Sequence, residues 1–331
     1  MTNQPKISNQ VYRHSQYELE QGENYGKTTE QGYQIIDREI NESILPKLQS
    51  LPKGSIVIIA QVSRPSRPSN EPILAKKYNG LIRTKQAQVR VWQRLKEQIP
   101  EANLIDIENF KGKRGEDGKN TKPQPILDAL QSISDNELNV VFVPIYGAGL
   151  APQSFLTPRH SAYRNNVLHD PLLGEELEAE RYLHLVGFEK NVEDPTIRPE
   201  RAGAEVLYEI YRGMAKAQKI SRNNNISPLA HNPEIHFITI GHAVVSDSAI
   251  ALFIQECLLS EGQNVTLGEI FDSQMSKKMI QHFEGYEFTL NDDSISLVYR
   301  QKTYNLPLER FLKLLKRNLL TQRESLSPSN N

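Results

Sequence analysis

The sequence of 331 residues contains a single cysteine, Cys257, and almost no net charge. One cysteine excludes an internal disulfide and any zinc site built from several cysteines. A formal net charge of -1 provides no overall attraction to nucleic acid or to an anionic membrane surface, so any site for an anion must be local. Cys257 lies in the segment IQECLL at 254–259, in which four of six residues are apolar, and we interpret it as a small buried core residue rather than a reactive thiol.

Long hydrophobic stretches are also absent. No apolar run approaches the ~20 residues that a membrane-spanning helix requires, and the opening residues MTNQPKISNQ contain no apolar signal segment. These absences predict a cytoplasmic protein that binds neither membrane nor nucleic acid. The sequence indicates nothing about the oligomeric state.

What the sequence does contain is an alternation of short apolar runs and helical patterns. Buried strands are predicted at 7–12, 55–63, 103–108, 139–149 and 235–242. Helices are predicted at 28–51, 83–99, 200–218 and 246–260, the first capped by Thr28 or Thr29. A strand, a turn and a second strand are predicted over 286–306, followed by an amphipathic terminal helix. This order predicts a three-layer α/β fold with a mostly parallel sheet, plus a C-terminal β-hairpin and helix.

We predict one domain over residues 1–322 and a disordered tail at 323–331. Polar, proline-rich and glycine-rich segments interrupt the pattern, and they predict insertions at about 64–82, 109–125 and 151–198.

An Arg-His-Ser string occurs twice in the chain. The first copy, Arg13-His14-Ser15, directly follows the first predicted strand, whereas the second, at 159–161, follows a proline-containing loop. Ligands of open α/β sheets bind at the carboxyl ends of strands. The first copy is therefore the favoured site.

The stretch VYRHSQYELEQGENYGKTTEQGYQII resembles the opening of the histidine phosphatase superfamily, the phosphoglycerate-mutase-like group. In that family the first strand ends in Arg-His-Gly or Arg-His-Ser, and a Leu-Thr-x-x-Gly-type turn and a helix follow. Here TTEQG at 28–32 occupies the turn, with Thr in place of Leu. Later, FITIGHAVVSDSAI ends a predicted strand at His242. The resemblance covers roughly residues 7–260 and implies a phosphoglycerate-mutase-like α/β/α sandwich.

The resemblance further implies a metal-independent phosphomonoester hydrolase that needs no cofactor. His14 is the implied nucleophile, and Arg13, a second arginine and His242 are the implied donors to the phosphoryl group. The remaining implied substrate-binding positions are Ser15, Thr29 and Gly241. A guanidinium group suits this task because it is always charged and its planar fork matches phosphate oxygens. The expected partner is a small phosphorylated substrate or phosphate.

Several roles stay open in the sequence. The second arginine is Arg83, at the start of a predicted helix, or else Arg67 or Arg64 in the preceding loop. Arg201 lies on a predicted helix, where an arginine is more often solvated.

The acid that protonates the leaving group is Glu108, with Glu116 and Asp170 as alternatives. The family's acid-phosphatase branch has Asp directly after the second histidine, whereas this chain has Ala243.

Two alternative functions and one alternative site also remain. A degenerate family member would bind a phosphorylated ligand or partner without turnover, and a phosphomutase would transfer the phosphoryl group between hydroxyls. The second string contains Arg159 and His160. The interval between His160 and His242 contains one predicted helix and no buried strand, so it cannot supply the family's intervening elements. That copy can still line the pocket from an insertion.

Overall fold

The computed structural model describes residues 6–14, 16, 27–61, 80–106, 132–143, 199–221, 234–241, 243–275 and 280–320. Of residues 61, 80–83, 143, 199, 202, 220, 243–245 and 320 it describes only the backbone. The predicted insertions at 109–125 and 151–198, most of the one at 64–82, and the predicted tail lie outside the described residues.

The described strands form a mixed, mostly parallel sheet. They are β1 (Lys6–Arg13), β2 (Ile56–Gln61), β3 (Asn103–Asp106), β4 (Asn139–Val143), β5 (Glu234–Gly241), β6 (Gly285–Leu290), β7 (Ser294–Tyr299) and β8 (Lys302–Pro307). Their order in the sheet is β3-β4-β2-β5-β1-β6-β7-β8. Neighbouring strands from β3 to β1 in that order run parallel, and β7 and β8 run antiparallel. The predicted α/β class and mostly parallel sheet are confirmed.

Helices connect these strands much as the periodicity predicts. They are α1 (Glu30–Glu39), a π-helical turn (Ile40–Ile44), α2 (Leu45–Ser50), α3 (Gly80–Gln98), α4 (Pro199–Ser221), α5 (Ala243–Ser260), α6 (Leu267–Ser273) and α7 (Leu308–Leu320). Ile36, Ile40 and Ile44 recur at four-residue spacing and are fully buried, because such positions share one helix face. The π turn precedes Pro46, which has no N–H for the normal bond to Glu42. No described helix is long and apolar enough to span a membrane.

Cα proximity divides the chain into two compact units. The first comprises Met1–Ala148, Gly213–Gly241 and His282–Thr289. Its core packs apolar side chains of α1, α3 and the strands, including Tyr12, Ile36, Val57, Val91, Trp92, Ile238 and Phe283. Arg90 on α3 donates to both carboxylate oxygens of Asp37 on α1, at 2.7 and 2.5 Å. This bidentate pair joins the exposed sides of two core helices.

The second unit comprises Gly149–Arg212, His242–Gln281 and Leu290–Asn331. Its helix α5 is buried on all sides through its apolar middle, where residues 249–254 are each at most 1% exposed. Gly203 on α4 lies so close to Ser248 that an added Cβ would be 2.5 Å from the Ser248 carbonyl oxygen. Glycine here allows close helix packing. The single domain predicted for residues 1–322 stays a prediction.

The C-terminal segment contains one strand more than the sequence predicts. The predicted break at 291–293 is confirmed, but the second predicted strand is divided into β7 and β8 by a turn at Arg300 and Gln301, with φ of 46° and 64°. Two-residue hairpin turns with both φ values positive normally contain Asn-Gly or Asp-Gly. The Arg-Gln pair at this position therefore does not predict a turn. Arg300 covers the ring of its neighbour Tyr299. It also donates to the Met275 carbonyl at 2.6 Å, a contact with a residue 25 positions earlier in the chain.

Candidate functional site

The candidate site begins where β1 and β5 end side by side. These strands are parallel and in register, so that Arg13 is opposite Gly241. The backbone N–H of His14 donates to the Gly241 carbonyl at 2.9 Å, which extends the hydrogen-bonded ladder one residue beyond β1. Because all strands from β3 to β1 are parallel, this is the carboxyl edge of the sheet, where α/β proteins bind ligands. The predicted strand-end position of Arg13 and His14 is therefore confirmed.

Both side chains of the Arg13-His14 pair are buried. Each residue is 3% exposed. An arginine side chain brings a positive charge and a planar fork of donors, and a charge acts more strongly where water is excluded. The carboxyl edge of β1 therefore carries a buried guanidinium group and, on the next residue, a buried imidazole.

A turn before β6 closes over the end of β1. Phe283 stacks on Tyr12 with ring centroids 5.0 Å apart, and the N–H of Arg13 donates to the Glu284 carbonyl at 3.2 Å. Gly285 lies against the same tyrosine, so that an added Cβ would be 2.7 Å from a Tyr12 ring carbon. Three successive residues, two of the turn and the first of β6, thus contact the last two residues of β1.

This turn brings a second imidazole to the site. The ring centroids of His14 and His282 are 6.4 Å apart, with the planes inclined by 49°. His282 is half-buried, whereas His14 is buried. Sequence reasoning missed His282 because it belongs to no motif. It could have been found only by predicting that β6, which begins three residues after His282, lies next to β1 in the sheet.

The start of α1 is fixed near the same strand end. The Thr29 hydroxyl accepts from the Gly32 N–H at 3.0 Å and caps the helix, as predicted for Thr28 or Thr29. The N–H of Thr29 donates to the Gln16 carbonyl at 3.2 Å. The N–H of Thr28 donates to Gln86 Oε1 on α3 at 2.7 Å. Thr29 therefore has a structural role, and the substrate-binding role predicted for it stays a prediction.

The remaining predicted site residues are less fully described. Arg83 lies in the first turn of α3, which begins three residues earlier than predicted, and only its backbone is described. The predicted site residues outside the described part of the chain are Ser15, Arg67, Glu108 and His242, together with the alternatives Arg64, Glu116, Arg159, His160 and Asp170. Arg201 pairs with Glu205 one helical turn away, at 3.0 Å. The structure therefore brings together Arg13, His14 and Gly241 from the predicted set.

A second buried histidine provides a contrast on the same two strands. His236 on β5 is opposite Ser8 on β1, and its Nδ1 is 2.6 Å from the Ser8 hydroxyl. Burial, reinforced by the positive charges of Lys47 and Lys6, holds the pKa of His236 well below its ordinary value. This imidazole is neutral near pH 7 and lies within the strand pair rather than at its edge.

Cys257 is not a candidate nucleophile. It is 3% exposed, and burial, aided by Glu261 and Glu256, raises the pKa of its thiol to about 12. Since the thiolate is the reactive form, this thiol is unreactive near neutral pH. The prediction of a buried core cysteine is confirmed.

Among the described residues, no group of three or more His, Cys, Asp and Glu side chains is arranged to hold a metal ion.

Comparison with known proteins adds no assignment. No protein-family model matches the chain, and no curated protein matches it. The resemblance to histidine phosphatases therefore depends on the sequence strings at 11–36 and 237–250, and the function must be argued from the strand-end geometry.

Proposed function

We propose that the protein is a metal-independent phosphomonoester hydrolase that works through a phosphohistidine at His14. The observation that carries the proposal is the end of β1: Arg13 and His14 are adjacent at the carboxyl edge of a parallel strand pair, with the His14 N–H bonded to the Gly241 carbonyl at 2.9 Å. The proposal includes the finer fold, a phosphoglycerate-mutase-like three-layer sandwich, and a small phosphorylated substrate.

The chemistry follows from the residue types. The oxygens of a phosphomonoester dianion repel nucleophiles, and catalysis requires positive donors that neutralise them during transfer. Arg13 supplies a permanent charge. A neutral nitrogen of His14 attacks phosphorus, a P–N bond forms as the P–O bond to the leaving group breaks, and water later hydrolyses the P–N bond.

Further donors complete the proposed clamp. His242 is covalently bonded to Gly241, the residue whose carbonyl binds His14, and we assign it as a second imidazole donor. Arg83 is the assigned second arginine because it lies in the first turn of α3. The free N–H groups of a helix start also favour anions.

The test is hydrolysis of p-nitrophenyl phosphate by the wild-type chain and by His14→Ala. We expect turnover that EDTA does not affect, and a loss of at least about 10⁴-fold in the variant, because the nucleophile is removed. Quenching during turnover should trap a phosphate that is acid-labile and base-stable, as a phosphoramidate is. Full activity in His14→Ala, or strong inhibition by EDTA, would contradict the proposal.

A second candidate function is binding of a phosphorylated ligand without turnover. The burial of both Arg13 and His14, at 3% exposure each, favours it, because a charge in a site with little water binds an anion strongly, whereas turnover also needs room for in-line attack and for the leaving group. Calorimetry with inorganic phosphate separates the two candidates. A binder takes up phosphate through Arg13, loses it in Arg13→Gln, and releases no product from any phosphomonoester.

A further inference from the structure

The spacing of the two imidazoles limits what can lie between them. Their centroids are 6.4 Å apart, and a ring nitrogen is about 1.1 Å from its centroid, so the closest approach of two nitrogens is about 4 Å, beyond a direct hydrogen bond. One oxygen atom at about 2.8 Å from each nitrogen fits between the rings. The centroid spacing therefore leaves room for one oxygen between the rings when a nitrogen of each ring faces the other.

The turn that carries His282 is held in an unusual conformation. Phe283 has φ of 56°, which is rare for a bulky residue and persists only where the surroundings impose it. The stack on Tyr12 at 5.0 Å and the Arg13–Glu284 backbone bond at 3.2 Å supply that constraint. Both contacts are to the residues directly before His14, so the turn and the nucleophile are positioned by the same strand end.

The two rings differ in access to water. His14 is buried, and His282 is half-buried. A residue that gives up a proton in each cycle must regain one from solvent, and an imidazole exchanges protons readily near neutral pH. Of the two residues, His282 is the more exposed, although its Nε2 is itself buried.

We propose that His282 is the acid–base residue of this site, and that the substrates are phosphomonoesters of aliphatic alcohols; this inference rests on the proposed function. As the P–O bond breaks, its electron pair stays on the leaving oxygen, which takes a proton from the His282 imidazolium. Neutral His282 then removes a proton from the water whose oxygen attacks phosphorus. The P–N electron pair returns to His14, and phosphate leaves. His282 is thereby reprotonated for the next cycle.

The test exploits the leaving group. p-Nitrophenolate leaves without a proton, whereas the alkoxide of 2-glycerophosphate requires one. In His282→Gln we expect kcat/KM to fall at least about 100-fold for 2-glycerophosphate and less than about 5-fold for p-nitrophenyl phosphate. The ratio of the two values, measured on one preparation, is independent of the fraction of folded protein. His236→Gln is the matched control, and its ratio should equal that of the wild type.

A second variant tests the proton itself. His282→Glu restores an acid at this position, and we expect partial recovery of 2-glycerophosphate hydrolysis with the pH optimum moved toward the ordinary Glu pKa of about 4.3. Equal losses on both substrates in His282→Gln, or no loss on either, would overturn the role of His282 and leave the phosphatase intact. A wild-type chain that hydrolyses only the nitrophenyl ester would also overturn it. A wild-type chain that hydrolyses neither would overturn both this inference and the proposed function.

Discussion

Two buried histidines lie on the same pair of strands, and they differ in what surrounds them. His236 is inside the β1–β5 ladder, hydrogen-bonded to Ser8 at 2.6 Å. His14 is one residue beyond β1, at the carboxyl edge, with the His282 ring 6.4 Å away. His236 is 1% exposed and His14 3%. Burial alone therefore does not separate a structural histidine from a candidate catalytic one.

Position along the strand makes the distinction. Inside the ladder, a short hydroxyl partner and a lowered pKa make His236 a neutral polar group of the core. At the edge, His14 follows Arg13 in the sequence, and its ring is 6.4 Å from that of His282, which precedes the positive φ at Phe283. Strained backbone of this kind clusters at functional sites. The comparison predicts opposite consequences when each ring is removed.

The largest expected effect is a crossover between His14→Asn and His236→Asn. For p-nitrophenyl phosphate we expect His14→Asn to lose at least about 10⁴-fold in kcat/KM, because the nucleophile is gone. His236→Asn should keep activity within a few-fold and lose about 1–3 kcal/mol of unfolding free energy, because Ser8 loses its buried partner. Activity is measured well below the melting temperature of the less stable variant, and the stability of both variants is measured by urea unfolding.

Two results would contradict the distinction between His14 and His236. Loss of activity in a folded His236→Asn protein would show that the ladder interior matters to the chemistry. A His14→Asn protein that is merely less stable but fully active would assign His14 to the core, together with His236.

Local patterns predicted most of the fold but little of the site. Four-residue spacing of isoleucines fixes the face of α1, and a threonine before it fixes its start, because both signals act within a few residues. The apolar runs of β1 and β5 likewise predicted strands of nearly the observed length. The edge position of His14 followed because a strand end can be located from sequence.

The pairing of His14 with His282 could not be predicted in this way. It depends on β6 lying next to β1 and on a positive φ at Phe283, a residue type that gives no turn signal. The turn at Arg300 and Gln301 escaped prediction for the same reason: its residue types give no turn signal, and a hydrogen bond from Arg300 to the distant Met275 carbonyl helps to hold it.

An intermediate effect is expected from Gly285→Ala. The added Cβ would be 2.7 Å from the ring of Tyr12, which is fully buried and stacked on Phe283 and so has little room to move. We expect a loss of about 1–3 kcal/mol, as for other overpacked sites, together with slower hydrolysis as the turn carrying His282 shifts. Gly213→Ala is the control: apart from its own helix backbone and chain neighbours, no atom lies within 4 Å of its added Cβ, and a helical Gly→Ala change should stabilise by about 0.5–1 kcal/mol. An unchanged melting temperature and unchanged activity in Gly285→Ala would show that the position of the turn carrying His282 does not depend on its packing against the end of β1.

The smallest expected effect is a pH dependence of stability due to His236. Burial holds its folded pKa below the ordinary value, so below about pH 6.5 the unfolded chain binds a proton that the folded chain does not. Stability should therefore fall as the pH decreases from 6.5, by at most about 1.4 kcal/mol per pH unit, until the folded pKa is reached. Urea unfolding of the wild type and of His236→Gln between pH 7.5 and 5.5 isolates this contribution as the difference between the two slopes. If the unfolding free energies of the two proteins changed with pH in parallel, the pKa of His236 would be the same in the folded and unfolded chains. Burial inside the β1–β5 ladder would then not distinguish His236 from a histidine at its edge.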